Sequence, residues 1–269
     1  MSDLDMANDS RPHLISRLRG GVWTQAHDDL AEEVPVALEY NGISHAVMLA
    51  TPADLEEFAL GFSLSEGILA SPADCYGIEL TQDDDGITMH LTVSAAAFAA
   101  LTERRRNLTG RTGCGLCGTE SLAQVQRALP QVARASLSAS GIRRAIAGLK
   151  AFQPLNQLTG ATHAAAWCTI DGELRAVFED VGRHNALDKL IGALATENNF
   201  RNGFALITSR ASVEMVQKAA TVGIPALVAI SAPTALAVRT AQECGMTLLA
   251  FARGDGFTGY ANHDHIILD

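Results

Sequence analysis

Cys114 and Cys117 stand with two residues between them in Arg111-Thr112-Gly113-Cys114-Gly115-Leu116-Cys117-Gly118, a run entered from Arg104-Arg105-Arg106. Glycines at 113, 115 and 118 tolerate positive φ, so the turn can be tight and present both thiols outward. The neighbouring guanidinium groups favour thiolate over thiol when they fold back towards the sulfurs. Two accessible thiolates can carry sulfur, carry electrons or hold a metal. A structural zinc site needs four ligands, typically two such pairs, and Cys75, Cys168 and Cys244 make no second close pair. A zinc deaminase needs His-x-Glu followed by Pro-Cys-x-x-Cys. Its only echo is Thr162-His163-Ala164-Ala165-Ala166, which has alanine where the glutamate belongs and follows the cysteine pair. No metal site is expected. A thioredoxin-type redox pair belongs at a strand-to-helix turn near a βαβ unit. A glycine-rich linker suits a travelling thiol instead, and persulfide is one of its reversible states.

A second group of residues points to anions. Glu179-Asp180-Val181-Gly182-Arg183-His184, Thr208-Ser209-Arg210-Ala211-Ser212 and Ser231-Ala232-Pro233-Thr234 each follow an apolar run and precede a helical pattern. Phe251-Ala252-Arg253-Gly254-Asp255-Gly256 follows the last such run. In an open α/β sheet ligands bind beyond the carboxyl ends of the strands. Helix N-termini with arginines beside them make phosphate sites. In any one loop, serine and threonine serve most often as helix caps. Four such loops on one edge favour a phosphate-bearing ligand, with Arg183, His184, Ser209 and Arg210 among its contacts.

The elements that must position these groups fall into two blocks. Residues 1–20 lack an apolar period and are expected to form a flexible leader. Over 21–106, Asn41-Gly42 and Asp83-Asp84-Asp85-Gly86 mark hairpins, the second with alternating Ile87, Met89, Leu91 and Val93. Thr51 is expected to cap a helix with Pro52 first inside it and Leu55, Phe58, Ala59 and Phe62 buried. Ser94 opens an alanine-rich helix. The cysteine loop, 107–118, follows as a mobile linker, with a helix expected to begin near Thr119. In the block 119–269, a helix from Ser140 precedes two strands joined at Asp171-Gly172, and strands and helices then alternate. The strands from Phe204 onward are continuous apolar runs, as in a sheet covered on both faces. The fold class is therefore α/β, a small N-terminal unit followed by a larger one.

Thirty acidic against 20 basic residues give a net charge of −10, which argues against a nucleic-acid binder. Five cysteines with one close pair suit a reducing compartment. No basic-then-apolar signal opens the chain, and no run reaches the roughly 20 apolar residues that cross a bilayer. A protein of the cytoplasm, without membrane or nucleic-acid partners, is expected.

Glu32-Glu33-Val34-Pro35-Val36-Ala37-Leu38, Phe58-Ala59-Leu60-Gly61-Phe62 and Ser65-Glu66-Gly67 resemble the formate dehydrogenase accessory sulfurtransferases, the FdhD family. The same holds for the cysteine loop and the motifs at 162–166, 179–184 and 209–212, so the resemblance runs from about residue 20 onward. It implies a sulfur carrier that accepts sulfane sulfur from a cysteine desulfurase. The carrier passes it to the bis-molybdopterin guanine dinucleotide molybdenum cofactor before that cofactor enters formate dehydrogenase. It also implies a homodimer and a cytidine-deaminase-like three-layer C-terminal domain without the zinc chemistry. By position, Cys114 becomes the persulfide cysteine, Cys117 relays or resolves it, and the turn of Phe251, Ala252, Arg253, Gly254, Asp255 and Gly256 binds the cofactor. GDP should mimic the guanine nucleotide ends. Asp255 departs from the pattern by adding a negative charge to a turn expected to be more basic. Two other readings remain at this point: a chaperone that only shelters the cofactor, and a thiol–disulfide oxidoreductase.

Overall fold

Gly20 and Gly21, at φ 57° and 80°, make a two-residue turn of the kind whose twist suits paired strands. They join β1 (Ser10–Arg19) to β2 (Val22–Ala31), antiparallel in register from Arg19↔Val22 to Ser10↔Ala31. The computed structural model describes residues 9–109, 128–197, 200 and 202–269, apart from the side chains of 104–109, 196 and 197. From Ser10 onward the leader expected over residues 1–20 is therefore a strand. Its apolar residues, Leu14, Ile15 and Leu18, do not alternate, and the pairing signal is the Gly-Gly turn alone.

A four-stranded sheet comes next, in the order β4-β3-β6-β5. It comprises β3 (Val34–Tyr40), β4 (Ile43–Ala50), β5 (Cys75–Asp83) and β6 (Gly86–Val93). Asn41 and Gly42 turn β3 into β4 with positive φ, as the sequence predicts. The Asn41 side chain also clamps Val93, donating to its carbonyl at 3.1 Å and accepting from its N–H at 2.8 Å. Val36, Leu38, Tyr40, Met89 and Leu91 fill the inner face beside α1 (Leu55–Ser65). The helix starts later than expected, behind Asp54 at φ 52°, and Thr51 does not cap it. All of Thr51's polar groups bond to residues other than the helix start. Ser94 does cap α2 (Ala95–Thr109), its Oγ accepting from the Ala97 N–H at 3.2 Å.

The larger sheet has six strands in the order β12-β11-β10-β9-β7-β8. These are β7 (His163–Thr169), β8 (Leu174–Asp180), β9 (Gly203–Ile207), β10 (Ala226–Ala229), β11 (Thr247–Arg253) and β12 (Gly256–Ala261). Along β9, Ala205 and Ile207 join one apolar cluster while Phe204 and Leu206 join the other, so both faces are buried. The first face is covered by α5 (Arg183–Glu197), α6 (Val213–Thr221) and α7 (Ala235–Cys244). Ile142, Ala145 and Leu149 of α3 (Ala139–Leu149) cover the second. A short helix, α4 (Pro154–Thr159), leads into β7. The expected α/β class and the alternation after residue 200 are what the structure shows; α4, β12 and the first hairpin are additional.

The interior of the small sheet runs on into the helical face of the large one, through α1 against α5. The two helices touch at backbone distance. A Cβ on Gly61 would stand 1.7 Å from the Asp188 carbonyl oxygen, and one on Gly192 would stand 1.9 Å from that of Glu57. Beside this contact Lys218 is buried against Asp188 (2.9 Å), Glu66 (2.7 Å) and Ser65 (3.0 Å). Those acceptors hold its ammonium above the ordinary lysine range although burial opposes the charge. Because Gly61 faces backbone rather than a yielding side chain, Gly61→Val must drive the helices apart. We expect a loss of about 3 kcal/mol or more, roughly 6–12 °C in thermal midpoint. Thermal unfolding followed by circular dichroism checks this, and a wild-type midpoint would contradict the contact.

Candidate functional site

β9, β10 and β11 run parallel, β7 is antiparallel to β9, and β8 is antiparallel to β7. The carboxyl ends of β8, β9, β10 and β11 therefore share one edge with the start of β7. All four loops singled out in the sequence emerge there. Backbone bonds lace three of them together: Ala211 N–H to Ala232 O (3.1 Å), Thr234 N–H to Ala211 O (3.0 Å) and Phe251 N–H to Ser231 O (3.1 Å). Thr208 ties the row to β7, its Oγ1 accepting from the Ala164 N–H at 2.9 Å.

The hydroxyls on this edge have different duties. Thr234 is a true cap of α7, accepting from the Ala237 N–H at 3.2 Å. Ser212 stands at the cap position of α6 but donates to Glu214 Oε2 at 2.9 Å, so no side chain caps that helix. Ser209 is buried and donates to the Arg210 carbonyl, while the Arg210 side chain is exposed.

Arg183 and His184 open α5 at the same edge, near His163 at the start of β7. The Arg183 Nε is buried and makes no hydrogen bond. The His184 Nε2 lies 3.4 Å from Glu214 Oε2, too poorly aligned to bond. Burial first, then the Arg183 charge, pushes both His163 and His184 below the ordinary 6.5, with Glu214 opposing at His184. Two imidazoles biased towards the neutral form thus share this edge with the Arg183 cation, whose charge an anion would offset.

At the other end of the row Phe251 has φ 50°, a conformation rare for a bulky side chain, within an irregular stretch of the β11–β12 pairing. The residue is 39% exposed. The Arg253 guanidinium lies 5.7 Å from the ring centroid, and Tyr260 packs at 6.4 Å. Ala252 is buried, Gly254 takes φ 62° in the turn, and Asp255 and Gly256 are exposed. An aromatic ledge with a guanidinium beside it can stack a planar base and pair its phosphate.

Sequence reasoning missed the support beneath residues 179–184. Asp180, Asn185 and Lys189 are fully or almost fully buried and bond to Leu49 of the small sheet and to Thr51 just after it. The signal was there in two charged residues, Asp180 and Lys189, set among apolar positions of a strand and a helix. Glu179 has a local task, accepting from the Leu155 and Asn156 N–H groups and from Thr162 Oγ1. Ala165, at the place of a deaminase glutamate, is fully buried and pairs with Phe178 and Ile207. Cys168 is core, and burial pushes its thiol up. Cys114, Cys117, Arg111 and the helix expected near Thr119 lie outside the described residues, as do the side chains of Arg104, Arg105 and Arg106. Among the described residues no helix is long and apolar enough to cross a membrane.

A two-sided α/β sheet whose carboxyl edge gathers arginines, histidines and an exposed aromatic defines an α/β protein with a candidate anion site at that edge. Residues 31–267 match the FdhD/NarQ family, and the chain belongs to that family. It is 56% identical over 251 residues to a protein of Cupriavidus necator named sulfur carrier protein FdhD, covering 92% of this chain and 87% of the relative. A protein of the same name from Variovorax paradoxus is 54% identical over 250 residues, covering 91% and 90%. The fold also matches a crystal structure from Desulfotalea psychrophila, described as that of a candidate formate dehydrogenase accessory protein. The TM-score is 0.78 at 23% identity, over 96% of this chain and 99% of the other.

Proposed function

We propose that this chain is a sulfur carrier of the cytoplasm that serves the maturation of formate dehydrogenase. The supporting observation is its identity of more than half with named sulfur carriers over nine-tenths of its length. The matched family region includes Cys114 and Cys117. In this reading the Cys114 thiolate attacks the outer sulfur of a cysteine desulfurase persulfide, forms Cys114–S–SH and releases the desulfurase thiolate. Cys117 then attacks the Cys114 sulfur, closes a disulfide and expels sulfide towards the metal of the substrate, the bis-molybdopterin guanine dinucleotide cofactor. The two electrons come from the dithiol, and a thiol reductant resets it. The carboxyl edge holds the guanine nucleotide ends of the substrate: Phe251 stacks a base, while Arg183, His184, Ser209, Arg210 and Arg253 meet phosphates. A homodimer would present two such edges.

The carrier step is tested by incubating the protein with an active desulfurase and free cysteine, then weighing the peptide of Cys114 and Cys117 without reductant. Added sulfur that dithiothreitol removes is the expected result; its absence would refute the carrier reading.

The edge has its own test, GDP binding as a function of pH. His163 and His184 are held neutral in the free protein by burial and Arg183, with Lys218 also acting against His184 and Glu214 for it. Bound phosphate offsets the Arg183 charge and raises both imidazoles, so binding takes up protons. Affinity should rise as pH falls from about 7.5 to about 5.5, roughly threefold or more per titrating imidazole. Calorimetry in buffers of different ionisation enthalpy counts the protons, and His184→Gln should reduce the count. Zero uptake by the wild-type protein would remove His163 and His184 from the site.

A further inference from the structure

Three of the four edge loops are laced to one another by backbone bonds, but the turn at 179–184 is held from the other sheet. The end of β4 reaches it. Thr51 donates its N–H to Asp180 Oδ2 at 3.1 Å, and its Oγ1 accepts the Val181 N–H at 3.1 Å. Its carbonyl takes the Lys189 ammonium at 3.2 Å as well as the Ala53 N–H at 2.8 Å. Two residues earlier, the Leu49 carbonyl accepts from Asn185 Nδ2 at 2.7 Å. The turn is closed on its own side by the Gly182 N–H on Asp180 Oδ1 at 2.7 Å, and Gly182 leaves no room for a Cβ beside Asn185. Thr51 is wholly buried, and its bonds to Asp180 and Lys189 lie out of reach of water.

We propose that Thr51 is a positioning residue for the ligand-binding turn at 179–184: its hydroxyl fixes Val181, and through it the direction in which Arg183 and His184 meet the ligand. The inference rests on the reading of this edge as the nucleotide site. It goes beyond that reading by assigning part of the site's geometry to a residue just past the end of β4 that touches no ligand. A turn anchored at Asp180 and Asn185 but free at Val181 can rock about those two points. Arg183 and His184, two and three residues further on, would swing with it. Misplacement of this kind weakens binding without removing any binding group.

The test uses the full-length protein with two substitutions at one atom. Thr51→Val keeps the shape and branching but removes the acceptor of the Val181 N–H; Thr51→Ser keeps the acceptor. Amide hydrogen exchange over 181–184 should speed up roughly tenfold in Thr51→Val and stay near wild type in Thr51→Ser, with α1 unchanged in both. GDP affinity should fall roughly tenfold in Thr51→Val and recover in Thr51→Ser. A purely structural role would lower the unfolding midpoint of Thr51→Val and leave the affinity of the folded protein alone. Unchanged exchange at 181–184, or faster exchange with unchanged affinity, would overturn the proposal. A wild-type protein that binds no GDP would instead overturn the nucleotide reading, and the exchange comparison would then decide alone whether Thr51 holds the turn. Should Thr51→Val fail to fold, Thr51→Ala removes the same acceptor and takes its place.

Discussion

A strain whose only copy of this protein carries Cys114→Ala should lose formate dehydrogenase activity by roughly a hundredfold or more, as when a covalent nucleophile is deleted. The variant protein should still be present at normal level and still bind GDP. The cysteine lies in a glycine-rich run of the sequence, with no apolar pattern around it, so its loss is expected to leave stability untouched. That combination separates a carrier from a chaperone, since a protein that only shelters the cofactor needs no sulfur of its own and would support maturation without Cys114. Cys117→Ala adds a second distinction. If Cys117 resolves the persulfide by closing a disulfide, its variant should accumulate sulfur on Cys114 and release it slowly. A thiol–disulfide oxidoreductase would be damaged equally by either change and would accumulate no persulfide. Enzyme assays on extracts, beside an immunoblot and the mass of the cysteine peptide, decide among the three; full activity in Cys114→Ala would rule out the carrier.

The parts of the fold legible in the sequence are those with local causes. Asn41-Gly42 and Asp171-Gly172 announce their hairpins because the turns need residues that tolerate positive φ, and Gly42 and Gly172 adopt it at 83° and 80°. The later strands read correctly because burial on both faces leaves continuous apolar runs. The edge was legible through topology: once strands and helices alternate, loops after parallel strands must emerge on one side. What stayed hidden depends on partners far along the chain. Thr51 before Pro52 has the pattern of a helix cap, yet its three polar groups bond to residues 180, 181 and 189, roughly 130 positions away. Nothing local to Gly61 announces that it is where α1 meets the Asp188 backbone. The first hairpin escaped because neither face of its strands is buried in a core, so its apolar residues fall in no strict alternation and only Gly20-Gly21 spoke.

Asp180→Asn should destabilise the protein more than Lys189→Met, although the two residues form one ion pair at 2.8 Å and both are completely buried. The asymmetry follows from what each charge keeps when the other is lost. Without Lys189 the carboxylate still accepts from the N–H groups of Thr51 (3.1 Å) and Gly182 (2.7 Å) and from Asn185 Nδ2 (3.0 Å). Without a negative Asp180 the ammonium keeps only the carbonyls of Thr51 and Glu179, both at 3.2 Å. An asparagine that keeps its oxygen towards Gly182 turns an NH2 towards that ammonium, donor against donor. Breaking a buried pair costs about 3–5 kcal/mol, and we place Lys189→Met near the lower figure and Asp180→Asn near the upper. The double variant Asp180→Asn/Lys189→Met should be more stable than Asp180→Asn alone, because it removes the stranded ammonium. Denaturant unfolding of the four proteins at one pH gives the cycle. Strict additivity would mean that the pair is not a unit; a coupling of more than about 3 kcal/mol, the size that leaves the double variant more stable than Asp180→Asn, would show one buried charge holding the other in place. Since Asp180 also shapes the turn that presents Arg183 and His184, only its variant should loosen GDP binding beyond what stability explains.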